Sequence, residues 1–310
     1  MLYFIINSIS WVIFNLNLIF MKITLFIITF SLFLSSCSNK PEDQNTAQSF
    51  KAEETTPSLT KVWETDSIMT TTESVIYDPA SDIIFASNIN EFPSKRNGSG
   101  FISKIAKDGT VLQHKWITGL NTPAGMTLKE GKLYVNDVNQ LVEIDIVQGK
   151  IINRYPVENA GFLNDAATDG KNIYVTDSEK GTVHVLENGS FTLLAEGMDG
   201  INGLALNEQG DILILDGKGL NKFSQKEKST TNINEVVTGG DGIVILNDST
   251  YLASRWKGEI YLIKNGKEHL LLETKDDKIN SADIGYIKEA NLVLVPTFFG
   301  NRIVAYTLEY

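Results

Sequence analysis

The chain contains a single cysteine, so no disulfide framework can hold the fold together. Basic side chains are outnumbered, because 27 lysines and arginines stand against 38 aspartates and glutamates, and the net charge is −11. A body this acidic repels nucleic acid and anionic lipid. The sequence also has neither a Gly-rich phosphate loop nor a G-x-S-x-G nucleophile elbow. We therefore expect no nucleic-acid partner and no serine-nucleophile chemistry of that type.

Long apolar runs are confined to the first 36 residues, where Lys22 is the only charged side chain. Met21 and Lys22 open the segment ITLFIITFSLFL, which is short for a membrane span and typical of a signal-peptide core. Residues 34–37 resemble the lipobox of a bacterial lipoprotein, whose cysteine is acylated. We predict a signal peptide over residues 1–36, with Met21 as a candidate true start, and lipidation at Cys37. The alternative is a signal anchor, or a chance cysteine in an apolar run.

Residues 37–58 have few apolar side chains and two prolines, a composition typical of a disordered tether. Lipidation of Cys37 would hold this tether, and the chain that follows it, at a membrane outside the cytoplasm. We therefore expect the protein in the bacterial cell envelope, on the periplasmic or outer-membrane side.

A unit of two strands joined by a tight turn recurs six times in the rest of the chain. In its clearest copy, Asn202 precedes the stretch GLAL, a turn follows at residues 207–210, and the stretch ILIL leads to Asp216. The first and last residues of the unit are 13 or 14 positions apart in every copy. The copies start 51, 40, 38, 39 and 42 residues apart, at Glu73, Ala124, Asn164, Asn202, Asp241 and Asp283.

More strands follow each hairpin, separated by turns such as Asn188-Gly189, a strong hairpin signal. Self-similarity at about 40 to 50 residues, with four strands per unit, indicates a β-propeller. We predict an all-β, six-bladed propeller over residues 59–310, with four antiparallel strands in each blade. The last blade has only three strands before Tyr310, and residues 59–64 look like a strand without a blade. We expect that N-terminal strand to pair with the last blade and close the ring.

In a propeller the innermost strands begin around a central channel, so residues in the same phase of the repeat should converge. Of the six residues that start the copies of the repeat, five carry a side-chain oxygen, and Ala124 does not. Oxygen ligands suit Ca²⁺ or Mg²⁺, and two carboxylates balance a divalent charge. Without a metal, such carboxylates would repel each other and at least one pKa would rise. We predict a metal site made of Glu73, Asn164, Asn202 and Asp241, with Asp283 as an additional candidate.

Each of these residues also has a plainer interpretation, since Asn, Asp and Glu before a strand are ordinary turn residues. Three further acids end second strands at the same rim: Asp137, Asp177 and Asp216. We interpret them either as side chains that support the metal ligands or, by preference, as polar strand ends. The histidines fall in third or fourth strands, away from the channel, at positions 114, 184 and 269. A histidine-based nucleophile and a His-ligated zinc site are therefore disfavoured.

Residues 60–310 resemble the SMP-30/gluconolactonase/LRE-like family of six-bladed, calcium-dependent propellers, which is related at a distance to paraoxonases and strictosidine synthases. Four motifs carry the resemblance: ESVIYDP at 73–79, ND at 164–165 with DG at 169–170, NGL at 202–204, and DGI at 241–243. It implies that Glu73, Asn164, Asn202 and Asp241 hold Ca²⁺, or another divalent cation such as Mg²⁺, Zn²⁺ or Mn²⁺. It also implies that Asp241 is the catalytic base.

The chain departs from the family pattern in several places. Ile201 and Gly240 stand where proline usually precedes the NG and DG motifs. Phe162 stands where an arginine helps sugar-lactone hydrolases to hold their substrate, which argues for a less polar ligand. Asp283 is an acid that many members lack, so a fifth protein ligand or a changed metal stays open.

These observations predict a metal-assisted lactonase or esterase that acts on a small molecule as a membrane-tethered monomer. The alternative is a non-catalytic propeller that binds a ligand or a protein and holds a structural metal, because a fold does not determine a function. An insertion at residues 89–99 lengthens the first blade. We interpret it either as a lid over the channel mouth or, by preference, as a surface loop.

Overall fold

The computed structural model describes residues 56–92, 96–277 and 279–310, all within a unit that spans residues 54–310. The predictions for the signal peptide, for Cys37 and for the tether up to residue 55 lie outside the described residues. In the described part of the chain, no helix is long and apolar enough to cross a membrane.

The described residues form six four-stranded antiparallel sheets, as the sequence predicts. The first blade holds β2 (Thr72–Asp78), β3 (Ile83–Asn88), β4 (Gly100–Ala106) and β5 (Val111–Leu120). The second holds β6 (Pro123–Lys129), β7 (Lys132–Asp137), β8 (Gln140–Asp145) and β9 (Lys150–Pro156). The third holds β10 (Leu163–Thr168), β11 (Ile173–Asp177), β12 (Thr182–Glu187) and β13 (Ser190–Glu196).

The remaining three blades repeat this order of strands. The fourth holds β14 (Leu204–Leu206), β15 (Ile212–Asp216), β16 (Gly219–Ser224) and β17 (Ser229–Asn234). The fifth holds β18 (Gly240–Asn247), β19 (Thr250–Arg255), β20 (Glu259–Lys264) and β21 (Lys267–Glu273). The sixth holds β22 (Gly285–Ile287), β23 (Leu292–Pro296), β24 (Ile303–Glu309) and β1 (Ser58–Glu64). Two single-turn 3₁₀ helices cover Lys275–Asp277 and Lys288–Ala290.

Strand β1 closes the ring, which confirms the expectation for the N-terminal segment. It pairs antiparallel with β24, from Ser58 opposite Glu309 to Glu64 opposite Val304. The sixth blade therefore takes its outermost strand from the beginning of the propeller. This pairing covers an edge that would otherwise expose a row of unpaired N–H and C=O groups.

The core lies between neighbouring blades. Second strands such as β15 (ILILD) are buried along their whole length, because another blade covers each face of the sheet. Fourth strands such as β13 alternate between exposed and half-buried positions. One apolar cluster joins Phe85 and Ile102 of the first blade to Leu133 and Val142 of the second. Burial of this kind supplies the main favourable free energy of folding.

The first strands of neighbouring blades contact one another in a closed ring around the axis. Two buried hydroxyls bridge this ring. Thr176 Oγ1 accepts a hydrogen bond from the Asp165 amide at 2.9 Å and donates to the Asn202 carbonyl at 2.8 Å. Ser254 Oγ accepts from the Gly242 amide at 2.8 Å and donates to the Ala282 carbonyl at 2.7 Å. Each hydroxyl thus joins its own blade to the residues that open the next one.

Replacement of Ser254 by Ala is expected to destabilise the ring, because two buried backbone groups lose their partner. We expect the free energy of unfolding to fall by about 2 to 4 kcal/mol, and Tm by about 5 to 15 °C. Ser249→Ala, in the exposed β18–β19 turn, is the matched control and should leave Tm within about 1 °C. Calorimetry or circular dichroism melting measures the difference. Equal Tm values for the two variants would show that the bridge contributes no stability.

Candidate functional site

The six in-phase residues all lie at one end of the propeller. Four of them are the second residue of a first strand: Glu73 in β2, Ala124 in β6, Asn164 in β10 and Asp241 in β18. Asn202 and Asp283 stand two residues before β14 and β22. We call this end the upper rim. It also carries the connections between second and third strands, because the sheets are antiparallel.

The ladder between the first and second strands is interrupted at these positions in four blades. The register shifts between residues 72 and 74, 123 and 126, 163 and 166, and 240 and 243. Such bulges bend a strand and re-aim its side chains. The amides of Ser74, Asp165 and Gly242 donate instead to side-chain hydroxyls of the second strands, on Ser87, Thr176 and Ser254. In three of these four blades a hydroxyl of the second strand therefore supports the irregular backbone at the rim.

Two predicted ligands, Glu73 and Asp241, are buried carboxylates that act on each other. Burial raises the pKa of Glu73 well above its usual range, and the charges of Asp241, Asp283 and Asp165 raise it further. Burial, and then the charge of Asp283, raise the pKa of Asp241 to about 8, while the neighbouring Asn202 side chain partly offsets this rise. Carboxylates from the first, third, fifth and sixth blades therefore act on one another through their charges.

Asp283 and Asp165 complete this group of acids. Burial raises the pKa of Asp283 to about 7, against the effect of a 2.6 Å hydrogen bond from Ser74 Oγ. Burial, and then the charge of Asp283, raise the pKa of Asp165 well above its usual range. The Asp165 carboxylate accepts a hydrogen bond from the neighbouring Ala166 amide at 2.7 Å. It also accepts one from the Leu204 amide at 2.6 Å, which links the third blade to the fourth.

Asp165 is the acid that the sequence analysis missed as a member of this group. The repeat places Asn164 in phase, and strict alternation would turn the next residue away from the axis. The bulge between Leu163 and Ala166 removes that alternation. The sequence signal that could have revealed Asp165 is the pair of adjacent polar residues, Asn164 and Asp165, at the start of an inner strand. Asn164 itself is half-buried, and its carbonyl accepts a hydrogen bond from Asn136 Nδ2 at 3.1 Å.

Three of the four predicted metal ligands present an oxygen that is buried and accepts no hydrogen bond from any described residue. These atoms are Glu73 Oε2, Asn202 Oδ1 and Asp241 Oδ1. Buried acceptors without a partner are rare, and each one requires an explanation such as a bound ion or water. Carboxylate and amide oxygens are the donors that hard divalent cations prefer. The residues present therefore fit such a cation.

The candidate cation site is not made of acidic side chains alone. Within the described ranges, no group of three or more His, Cys, Asp or Glu side chains is arranged to hold a metal ion. Asp165 uses both carboxylate oxygens for backbone amides, and Asp283 uses one for Ser74. A cation at the predicted set would rely on the carboxylates of Glu73 and Asp241 and on amide oxygens between them.

The glycines of the NGL and DGI motifs allow the first strands to meet at the rim. A Cβ atom on Gly203 would lie 2.2 Å from the Asp241 carbonyl oxygen. A Cβ atom on Gly242 would lie 2.4 Å from Asp283 Oδ1. Only glycine permits so close an approach of two backbones. These glycines therefore bring the acids of neighbouring blades together.

The strand-end acids have structural partners, in agreement with the prediction. Asp137 Oδ1 accepts the amides of Asn121 and Thr122, both at 2.8 Å. Asp177 accepts the amides of Gly161 at 2.7 Å and Phe162 at 3.1 Å. These bonds hold the segments that lead into the second and third blades. The histidines lie in outer strands, as predicted: His184 in the third strand of blade three, and His114 and His269 in the fourth strands of blades one and five.

A cavity of 390 Å³ runs along the first strands below the acids. Its wall is mainly apolar and includes Val75, Leu204 and Ile243, and Asp165 and Asp283 also line it. The first strands of all six blades line this cavity, so it is the central channel, and two of the four acids lie at its wall.

No protein-family model and no curated protein matches the sequence. Solved structures do match the fold. A streptogramin B lyase structure superposes with a TM-score of 0.58 at 11% sequence identity, over 82% of this chain and 97% of that one. The β-propeller domain of Myceliophteria thermophila Cps50 (Swd1) gives a TM-score of 0.56 at 10% identity, over 81% of this chain and 100% of that one. At such identities the likeness shows the fold alone, and that fold is a β-propeller.

Proposed function

We propose that the protein is a divalent-cation-dependent hydrolase of a lactone or ester, with a site like that of the SMP-30/gluconolactonase family. One observation carries the proposal: the buried, unpaired oxygens of Glu73, Asn202 and Asp241 belong to the residues predicted to hold the cation. Four mutually repelling acids at the same place give a second reason for a cation, since its charge would relieve that repulsion.

The side chains have distinct roles in this proposal. Glu73, Asn164 and Asn202 bind the cation and position it, without reacting. A bound cation would polarise the carbonyl group of the substrate. Asp241 also binds the cation, and its carboxylate accepts a proton from the attacking water or orients that water. Burial raises the pKa of Asp241 in the metal-free protein, and the charge of a bound cation would lower it again, so that the carboxylate is ionised when the site is loaded.

Calcium is the proposed cation, because every proposed ligand atom is an oxygen. Mg²⁺, Mn²⁺ and Zn²⁺ are the other candidates, and they demand more regular geometry or softer ligands. Asp283 is proposed as an additional ligand, since its Oδ1 is not taken up by Ser74.

A non-catalytic propeller with a structural cation is the second candidate function. It is favoured by the burial of Glu73 and Asp241, which are only 6% and 2% exposed. A cation shielded to that extent could serve to hold the blades together, leaving the rim to bind a ligand or a protein.

We also propose that the protein acts as a monomer in the bacterial cell envelope, attached to a membrane through lipid on Cys37. The basis is the sequence of residues 21–37 alone. Metabolic labelling with a fatty acid analogue tests this, since Cys37→Ser should abolish incorporation.

The function is tested with a panel of lactones and aryl esters, assayed with Ca²⁺, with a chelator, and after readdition of Ca²⁺, Mg²⁺, Mn²⁺ or Zn²⁺. We expect hydrolysis that the chelator removes and that Ca²⁺ restores. Isothermal titration of the chelated protein with each cation measures binding separately. Tight cation binding without turnover of any substrate would support the non-catalytic candidate. Turnover that survives the chelator would contradict both.

A further inference from the structure

Four aromatic rings form one cluster on the upper rim. Phe92, Trp256, Phe298 and Phe299 make five ring pairs with centroids 4.9 to 6.0 Å apart and planes inclined by 71° to 88°, an edge-to-face arrangement. Phe298 is buried at the centre, whereas Phe92, Phe299 and Trp256 are 55%, 46% and 39% exposed. We call the three exposed rings on their buried support the aromatic platform.

The platform stands beside the acids. Its rings come from connections between second and third strands in the first, fifth and sixth blades, which all lie on the upper rim. The backbone of Phe298 forms a β-bridge with Thr72, the residue before Glu73. The Phe298 side chain packs against Ile89 and against Ala282, the residue before Asp283. The buried ring is thus fixed by the neighbours of two of the converging acids.

The loop that carries Trp256 is held by a polar contact in addition to the ring packing. The carbonyl of Trp256 accepts a hydrogen bond from Asn280 Nδ2 at 2.7 Å, which anchors the loop that carries the ring. A contiguous apolar patch that stays in water beside a few convergent polar groups is typical of a ligand site.

Two arginines close to the platform in the chain are paired with acids. Arg255, next to Trp256, is paired with Glu259 at 3.0 Å. Arg302, close to Phe299 in the chain, is paired with Glu64 at 3.1 Å. Both guanidinium groups are therefore engaged, and the nearby carboxylates of Glu73 and Asp283 would repel an anion.

We propose that the aromatic platform binds the uncharged, ring-bearing part of the ester or lactone whose carbonyl group would face the cation held by Glu73 and Asp241. This inference rests on the proposed function and narrows its substrate class to neutral aromatic or similarly bulky apolar compounds. Phe162, half-buried immediately before β10, adds a further apolar side chain to the same rim.

The first test compares kcat/KM for γ-phenyl-γ-butyrolactone with that for unsubstituted γ-butyrolactone. The wild type should prefer the phenyl compound, and Trp256→Ala or Phe299→Ala should lower the ratio of the two values about tenfold, mainly through KM. Trp256→Phe, which keeps a ring, should restore most of the preference. Leu193→Ala, which removes an exposed side chain of β13, is the matched control and should keep the wild-type ratio. An unchanged ratio in Trp256→Ala, or an equal loss in Leu193→Ala, would overturn the proposal.

A second test does not depend on hydrolysis. The matching lactam, 5-phenyl-2-pyrrolidinone, is titrated into the calcium-loaded protein by calorimetry. We expect binding that weakens about tenfold in Trp256→Ala, and a similar loss when the phenyl group carries a carboxylate. Lactam binding of this kind without any lactone turnover would leave the platform in place and contradict the hydrolase. Lactone turnover whose phenyl preference is unchanged in Trp256→Ala would support the hydrolase and overturn the platform. Absence of lactam binding to the wild type would also overturn the platform.

Discussion

Asp241→Asn is expected to lower kcat for lactone hydrolysis about 10³-fold, because a general base contributes roughly 10² to 10⁴ to the rate. The amide has the same shape as the carboxylate and keeps one oxygen for the cation, so KM should change much less than kcat. The buried position of Asp241 makes the substitution specific, since its Oδ1 is one of the unpaired oxygens at the rim. Steady-state kinetics at saturating Ca²⁺ measure the effect.

The control is Glu208→Gln, an exposed acid in the β14–β15 turn at the opposite end of the blade, which should retain wild-type kcat. The acidic limb of the pH profile gives an independent readout. The base must be ionised, so kcat/KM should rise with pH, and bound Ca²⁺ should move that limb below the metal-free value of about 8. If Asp241→Asn keeps more than a tenth of kcat while the chelator abolishes turnover, Asp241 is a ligand and not the base.

The sequence was sufficient to predict the six blades and their closure, because a propeller repeats one local pattern. Each copy carries its own turn residues, such as Asn188-Gly189 between β12 and β13, and its own buried second strand, such as β15. The segment around Trp63 could be assigned to the last blade because that blade lacked a strand. Errors in a single copy do not propagate when five others define the period.

The candidate site was predictable only in part. The phase of the repeat selected Glu73, Asn202 and Asp241, since it gives the position along each strand. It does not give the direction of a side chain where the ladder is interrupted, and the bulge at residues 163–166 brought Asp165 into the group. The hydroxyls of Thr176 and Ser254 were missed for a related reason, because their amide partners become free only at a bulge. The aromatic platform depends on loops from three blades, which no local pattern relates to one another.

The metal-free protein is expected to lose stability as the pH rises from 6 to 9. For an acid whose pKa is higher in the folded state, the folded state binds more protons between the two pKa values, so stability falls as the pH rises through that window. The window runs from the unperturbed value of 3.8 to about 8 for Asp241 and to about 7 for Asp283. Between pH 6 and 9 the two acids together should cost about 4 kcal/mol, or about 10 °C in Tm.

Saturating Ca²⁺ should remove this loss, because the cation binds the ionised carboxylates and its charge offsets their repulsion. The rise in Tm on adding Ca²⁺ should therefore be larger at pH 9 than at pH 6. Asp241→Asn lacks one of the buried charges, so its metal-free Tm at pH 9 should exceed that of the wild type, whereas Glu208→Gln should follow the wild type at both pH values. Thermal melts at pH 6 and at pH 9, each in chelator and in about 1 mM Ca²⁺, supply these comparisons for each protein. A metal-free Tm that does not change from pH 6 to 9 would mean that the acids are not held together as charged groups, and the electrostatic reason for a cation would be lost.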